Sequence, residues 1–255
     1  MTEGFDADWL ALREPADCAA RSAVLADAFL DVLPPRPRIM DLGAGTGSNA
    51  RYLNARAEAR GMRIDWVLVD GDPSLLDRAA LPQFDRQVLD FAADPAILDI
   101  AGVDAISASA LFDLVSEDWF ARFVSLLGSR PLLAALTASD GHGWAPADPA
   151  DPAVEAWFAA DMRRNKGFGP ALGLDAPVAM ASCLAAAGFV VHQAETPWQL
   201  GPENPALAVA MVDGIAAAVA QYGDASGWNL RRRAALQSGE LRLTVGHRDI
   251  LAVRE

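Results

Sequence analysis

The sequence predicts an α/β protein built on a doubly wound, mostly parallel sheet, and three observations predict it. Short apolar runs alternate with longer amphipathic ones between residues 38 and 137, which is the pattern of βαβ units. A glycine-rich turn, Gly43-Ala44-Gly45-Thr46-Gly47, joins the first of these runs to a helical one. The chain is 52% hydrophobic over 255 residues, enough to bury a core of ordinary size.

The elements follow in order. A helix is expected over Cys18 to Leu33, stopped by Pro34-Pro35, because proline cannot continue a helix. Arg38 to Leu42 reads as a buried strand, Ser48 to Gly61 as a helix, and Ile64 to Val69 as a second strand. Pro73 to Leu81 is a short helix with proline near its start. Strands are expected at Phe84 to Leu89, Val103 to Ser109 and Pro131 to Thr137, with a helix at Glu117 to Leu127. Ser139 to Pro152 reads as a long Pro- and Gly-rich loop, of the kind that often borders a binding site. Beyond it come a helix at Ala153 to Arg164, a glycine-rich loop at Lys166 to Gly173, a helix at Val178 to Ala187 and a strand at Phe189 to Glu195. Two helices, Pro205 to Tyr222 and Ser226 to Ser238, precede a closing strand at Leu241 to Val253. No internal repeat or linker is evident. A single domain is expected: an N-terminal helical cap (1–36), a core (37–137), a loop and helix lid (139–173) and a helical insertion (202–239) before the last strand.

Composition narrows the function. Net charge is −13, so a phosphate backbone would be repelled and a nucleic-acid partner is not expected. No apolar run is long enough to span a bilayer, and Met1 to Asp8 carries three acids and no basic segment, unlike a secretory signal. Two cysteines, Cys18 and Cys183, cannot make a disulfide framework. These features predict a cytoplasmic protein, monomer or homodimer, that handles a small molecule. His142, His192 and His247 do not fall at metal-ligand spacing, so no metal is expected.

Asp41-Leu42-Gly43-Ala44-Gly45-Thr46-Gly47 carries the chemistry. Gly43 allows a sharp turn, while Gly45 and Gly47 let backbone approach a ligand. A dinucleotide fingerprint, G-x-G-x-x-G, would need a third glycine where this chain has Ser48. Asp70, 23 residues after Gly47, ends the second strand, where a carboxylate can accept from two ribose hydroxyls. Asp90-Phe91 ends the third, where an acid can accept from an exocyclic amine and a ring can pack on a purine.

In these residues the chain resembles class I S-adenosylmethionine-dependent methyltransferases of the small-molecule type. Their E/D-x-G-x-G-x-G loop is matched by Asp41 to Gly47, their ribose acid by Asp70 and their adenine-contacting acid by Asp90. The resemblance implies a Rossmann-like, seven-stranded sheet whose last strand is antiparallel. It implies S-adenosyl-L-methionine as cofactor, leaving S-adenosyl-L-homocysteine. It places the cofactor on Asp41, Gly43, Ala44, Gly45, Gly47, Asp70, Gly71, Asp90, Phe91 and Ser107, and the transfer site along Ser107 to Asp113. The Asn/Asp-Pro-Pro-Tyr/Phe motif of members that methylate nucleobase or amide nitrogens is missing there.

Asp113 and His142 are the candidate catalytic residues, each able to accept a proton near neutral pH when suitably placed. Ser109, Trp144, Lys166 and Phe168 are the candidate substrate residues. Trp9 to Pro15 is expected to cover the cofactor, with Arg13 or Arg21 near its carboxylate, and His247 is expected to be structural. The competing readings are a non-catalytic S-adenosylmethionine-binding protein of the same fold, a nicotinamide-dependent oxidoreductase, and an RNA or protein methyltransferase.

Overall fold

The computed structural model describes residues 6–254; most of the acidic N-terminal stretch read above lies outside them. Its sheet has strands β1 (Arg38–Leu42), β2 (Asp65–Asp70), β3 (Phe84–Val88), β4 (Ala105–Ser109), β5 (Leu132–Ala145), β6 (Val190–Glu195), β7 (Trp198–Leu200) and β8 (Arg242–Val253). The order is β3-β2-β1-β4-β5-β8-β6, with β7 pairing β8 to one side. β3 through β5 run parallel, and β8 is antiparallel to β5, β6 and β7. The expected mostly parallel, doubly wound sheet is therefore present, with one strand more than expected. β7 is three residues long and follows Pro197, too short a run to announce itself by alternation.

Strand order reverses between β1 and β4, which run parallel. The connections leave β1 toward β2 on one side and arrive at β4 on the other, so a crevice opens at the carboxyl ends of the strands. Buried side chains fill both faces. On one, Trp119, Phe120 and Phe123 of helix α5 (Glu117–Leu127) are almost wholly enclosed with Phe112; burial of each such side chain contributes roughly 1.5–3 kcal/mol. On the other, Phe29 and Leu30 pack with Leu53. Ser116 accepts from the Trp119 N–H at 3.2 Å and starts α5, a cap contributing about 1 kcal/mol.

The N-terminal region differs from expectation. Instead of one helix at Cys18 to Leu33 there are two, α1 (Ala7–Ala20) and α2 (Ala23–Asp31). Ser22 breaks the chain between them: its hydroxyl caps α2 by accepting from Leu25 N–H at 3.2 Å, and its own N–H donates to Asp249 on β8 at 2.9 Å.

The expected loop at 139–152 is in large part strand. β5 runs on to Ala145, pairing His142 with Val245 and Trp144 with Leu243. Two register shifts, between Ala134 and Thr137 and between Ala138 and His142, absorb the extra residues, as β-bulges do. The irregular backbone shows in positive φ values at Leu136 (52°) and Asp140 (53°). Asp249 holds the first bulge, its Oδ1 accepting from the Leu136 N–H at 2.8 Å and the Thr196 hydroxyl at 3.1 Å. Among the described residues no helix is long and apolar enough to cross a membrane.

Candidate active site

A cavity of about 1060 Å³ lies at the carboxyl edge of the sheet, at the top of the range of about 300–1,000 Å³ usual for small-molecule sites. One end is formed by the glycine turn. Gly43 and Gly45 have φ of 61° and 54°, the left-handed region that side chains rarely enter. The Gly45 N–H donates to Asp70 Oδ2 at 2.8 Å and the Asp72 N–H to Asp70 Oδ1 at 2.9 Å. Asp70 thus ties the turn after β1 to the end of β2. Burial raises its carboxyl above the usual range against those backbone donors. Asp90 accepts from the Ala92 N–H at 3.0 Å, and the Phe91 ring packs beside Trp119 and Phe168, with centroids 6.1 and 5.9 Å away.

Asp41 lies beneath this end, fully buried. Its Oδ1 accepts from Ser107 Oγ at 2.7 Å and from the Asn49 amide, whose oxygen accepts from Arg21 at 2.5 Å. Asp41 Oδ2 has no partner. Burial outweighs the bonds from Ser107 and Asn49 and the nearby Arg21 charge, and pushes the carboxyl up to about 6.

The other end is built from side chains of distant elements. Helix α1 presents Trp9, Leu10, Arg13 and Asp17. Arg13 donates to both Asp17 oxygens, at 2.9 and 3.1 Å, and lies over the Trp198 ring, 4.9 Å from its centroid. Trp198 donates to Asp17 at 3.1 Å and packs against the His247 ring, centroids 5.0 Å apart. Burial first, then the Arg13 and His142 charges, pushes His247 down to about 3, so its ring is neutral at physiological pH. His142 Nδ1 lies 3.1 Å from both Glu155 oxygens, on helix α6 (Asp151–Met162). Asp113, in the turn after β4, is buried, with Oδ1 unpartnered. Burial raises its carboxyl above the usual range, opposed by backbone N–H groups and by Arg13 and Lys166.

No family model and no curated protein matches this chain in sequence. Solved structures do match in shape. A protein assigned as a type II methyltransferase from Anaeromyxobacter dehalogenans aligns at a TM-score of 0.55 and 18% identity, covering 92% of this chain and 96% of that one. The fold is the Rossmann-like fold of methyltransferases. YcgJ from Bacillus subtilis aligns at 0.52 and 12% identity, covering 91% and 97%. A cyclopropane-fatty-acyl-phospholipid synthase-like protein from Lactobacillus casei aligns at 0.52 and 14%, covering 97% and 94%.

Within that methyltransferase fold the sequence-derived residues separate. Gly43, Ala44, Gly45, Asp70, Gly71, Asp90 and Phe91 line the cavity, as do Ser109, Asp113, His142, Lys166 and Phe168. Four do not. Asp41 and Ser107 form the buried floor described above, so Ser107 meets Asp41 and not the cavity. Gly47 caps helix α3 (Ser48–Glu58) with φ of 79°. Trp144 shares the face of β5 with His142, their rings 5.8 Å apart, but lies beyond the cavity wall, donating to Glu155 at 2.8 Å and packing edge-on against Trp228 at 5.2 Å. Lys166 reaches the cavity with its ammonium 3.1 Å from Asp161, which Arg164 also contacts at 2.6 Å. Phe168 lines the cavity beside Phe91, its ring also edge-on to Trp119 at 5.6 Å.

Sequence reasoning left out Asp17 and gave His247 only a structural role, yet both line the cavity, as does helix α8 (Pro205–Val219). Trp9, Arg13 and Asp17 recur at a spacing of four, which marks one helical face. His247 gives no comparable signal, since its place follows from β8 pairing with β5.

Proposed function

We propose that this protein transfers a methyl group from S-adenosyl-L-methionine to a small-molecule acceptor. The observation that carries the reading is the joining of two unlike half-sites in one cavity. One half consists of Gly43 to Gly45 with Asp70 and Asp90, and the other of buried titratable side chains led by Asp113. The residues fit such a cofactor: the left-handed turn leaves no Cβ between backbone and ligand, Asp70 keeps carboxylate lone pairs beyond its two backbone bonds, and Asp41 Oδ2 is buried without a partner.

In this reading Asp70 holds the ribose, Asp90 and Phe91 the adenine, and the turn with Asp41 beneath it the methionine end, while α1 covers them. When bound, the cofactor supplies an electrophilic methyl group on a sulfonium. The protein supplies alignment, exclusion of water and a proton acceptor. Asp113 takes the proton that the acceptor loses. Its raised carboxyl suits that task, because a base with a pKa closer to the working pH binds the proton more firmly. His142, held by Glu155, orients the acceptor.

The test is calorimetric titration of the purified protein with S-adenosyl-L-methionine, S-adenosyl-L-homocysteine and NADH. Micromolar binding of either adenosyl compound, about −8 kcal/mol, with none of NADH, is the expected result. Binding of NADH alone would replace this reading with an oxidoreductase.

A further inference from the structure

The half of the cavity beyond the glycine turn has two chemically distinct walls. Helix α8 faces it at positions 210, 211, 214, 215, 217 and 218, which is one side of a helix. Met211 and Ile215 there stand with Phe158 and Met162 of α6 to make an apolar surface. The opposing wall holds Asp113, Ser139 and His247, and each of these carries a buried polar atom with no hydrogen-bond partner: Asp113 Oδ1, Ser139 Oγ and His247 Nδ1. Buried polar groups are nearly always satisfied, and leaving one unsatisfied costs about 1–3 kcal/mol. Three around one cavity point to a ligand that satisfies them.

The charges nearby decide what kind. Arg13 is held by Asp17 in two hydrogen bonds, Lys166 and Arg164 contact Asp161, and Glu155 accepts from Trp144 and from the His142 N–H. These full charges already face opposite charges or donors within the protein. An anionic ligand would meet the Asp113 carboxyl, and a cationic one would meet Arg13 and Lys166, both of which act on Asp113.

Resting on the methyl-transfer reading above, we infer that the acceptor is an uncharged amphipathic alcohol or phenol. Its hydroxyl sits among Asp113, Ser139 and His247, and its apolar body lies against α8 and α6. The three orphaned atoms receive and return the hydroxyl's hydrogen bonds, and the Met211 and Ile215 surface removes the body from water.

The experiment titrates the protein saturated with S-adenosyl-L-homocysteine against 2-naphthol and 1-octanol, each compared with its own methyl ether, and against 2-naphthoate. At least one of the two hydroxyl compounds is expected to bind tenfold or more tightly than its ether, and 2-naphthol more tightly than 2-naphthoate. His247→Phe, which keeps a ring against Trp198, is expected to shrink the hydroxyl-to-ether ratio severalfold. Gly214 lines the cavity, and a Cβ added there meets no atom within 4 Å. Gly214→Trp should therefore cut binding of the hydroxyl compound tenfold or more, and Gly214→Ala, the folding control, should leave it intact. Homocysteine-product affinity should be unchanged in all three variants. Failure of both hydroxyl compounds to bind, equal binding of the ethers, or tighter binding of naphthoate would overturn the proposal while the cofactor reading stands. Failure of S-adenosyl-L-homocysteine itself to bind would bring down the reading beneath it.

Discussion

At the end of the cavity where the chain turns through Gly43 and Gly45, backbone N–H groups and the carboxylates of Asp70 and Asp90 form the site within about fifty residues of one another. At the other end, α1, the turn after β4, β5, α6, α8 and β8 each contribute one or a few side chains. The first end needs a particular backbone shape, and glycine is the residue that permits it. The second needs a shaped space with a few polar atoms, which many different residues could provide. A site made from local backbone leaves its mark in a short motif, whereas one assembled from distant strands leaves almost none.

Four substitutions sharpen or break that contrast. Asp70→Ala should have the largest effect. It removes the carboxylate that would accept from a ribose and frees the Gly45 N–H, so affinity for S-adenosyl-L-homocysteine should fall about a hundredfold, roughly 3 kcal/mol for two bonds to a charged group, as read by calorimetry. An unchanged affinity would remove the ribose assignment.

Asp113→Asn comes next and belongs to the other end. Turnover should drop about 10–100-fold, the range lost with a general base, with homocysteine-product affinity intact. In the wild type the rate should decline as pH falls through a carboxyl pKa above the usual range, since the base must be deprotonated; the variant should lose that limb.

His247→Phe tests the same end without an acceptor. The imidazole is neutral in the folded protein until about pH 3, while unfolded histidine takes up a proton near 6.5. The wild type therefore loses stability as pH falls below about 6.5, by about 1.4 kcal/mol per pH unit from this group, or about 2 kcal/mol at pH 5. Chemical denaturation at pH 7 and pH 5 should show a smaller difference in the phenylalanine variant.

Asp41→Asn should have the smallest effect, and of opposite sign. A buried carboxyl raised to about 6 costs stability that grows as pH rises from about 4 to 6 and is fully felt at pH 7. The isosteric amide should stabilise the fold at pH 7 by about 1 kcal/mol once the loss of a charge near Arg21 is counted, raising the thermal midpoint by about 2–4 °C. The gain should vanish near pH 4.

Much of the fold was legible because alternating apolar runs report strands directly: β1 to β4, β6 and the body of β8 lie within a residue or two of where the pattern puts them. The second half of β5 was not, because Asp140-Gly141-His142-Gly143 has the composition of a turn. Pairing with β8, two bulges and the carboxyl of Asp249 override that local preference. The break at Ser22 was hidden for a related reason, since its N–H finds its partner on β8. In the site, Asp70, Gly45 and Asp90 could be placed by spacing from the glycine motif. Trp144 could not, because its contacts with Glu155 and Trp228, residues of later elements, hold it beyond the cavity wall.

Asp249 has a consequence for synthesis. Its carboxylate accepts from Ser22, Leu136 and Thr196, across 227, 113 and 53 positions of sequence. A chain emerging from the ribosome can pair β1, β2, β3 and β4 early, yet the junction of α1 and α2 and the bulge in β5 stay unsecured until residue 249 arrives. The glycine turn is thus ready long before its cover is fastened, and nascent chains arrested before β8 should keep an open, protease-sensitive amino-terminal region.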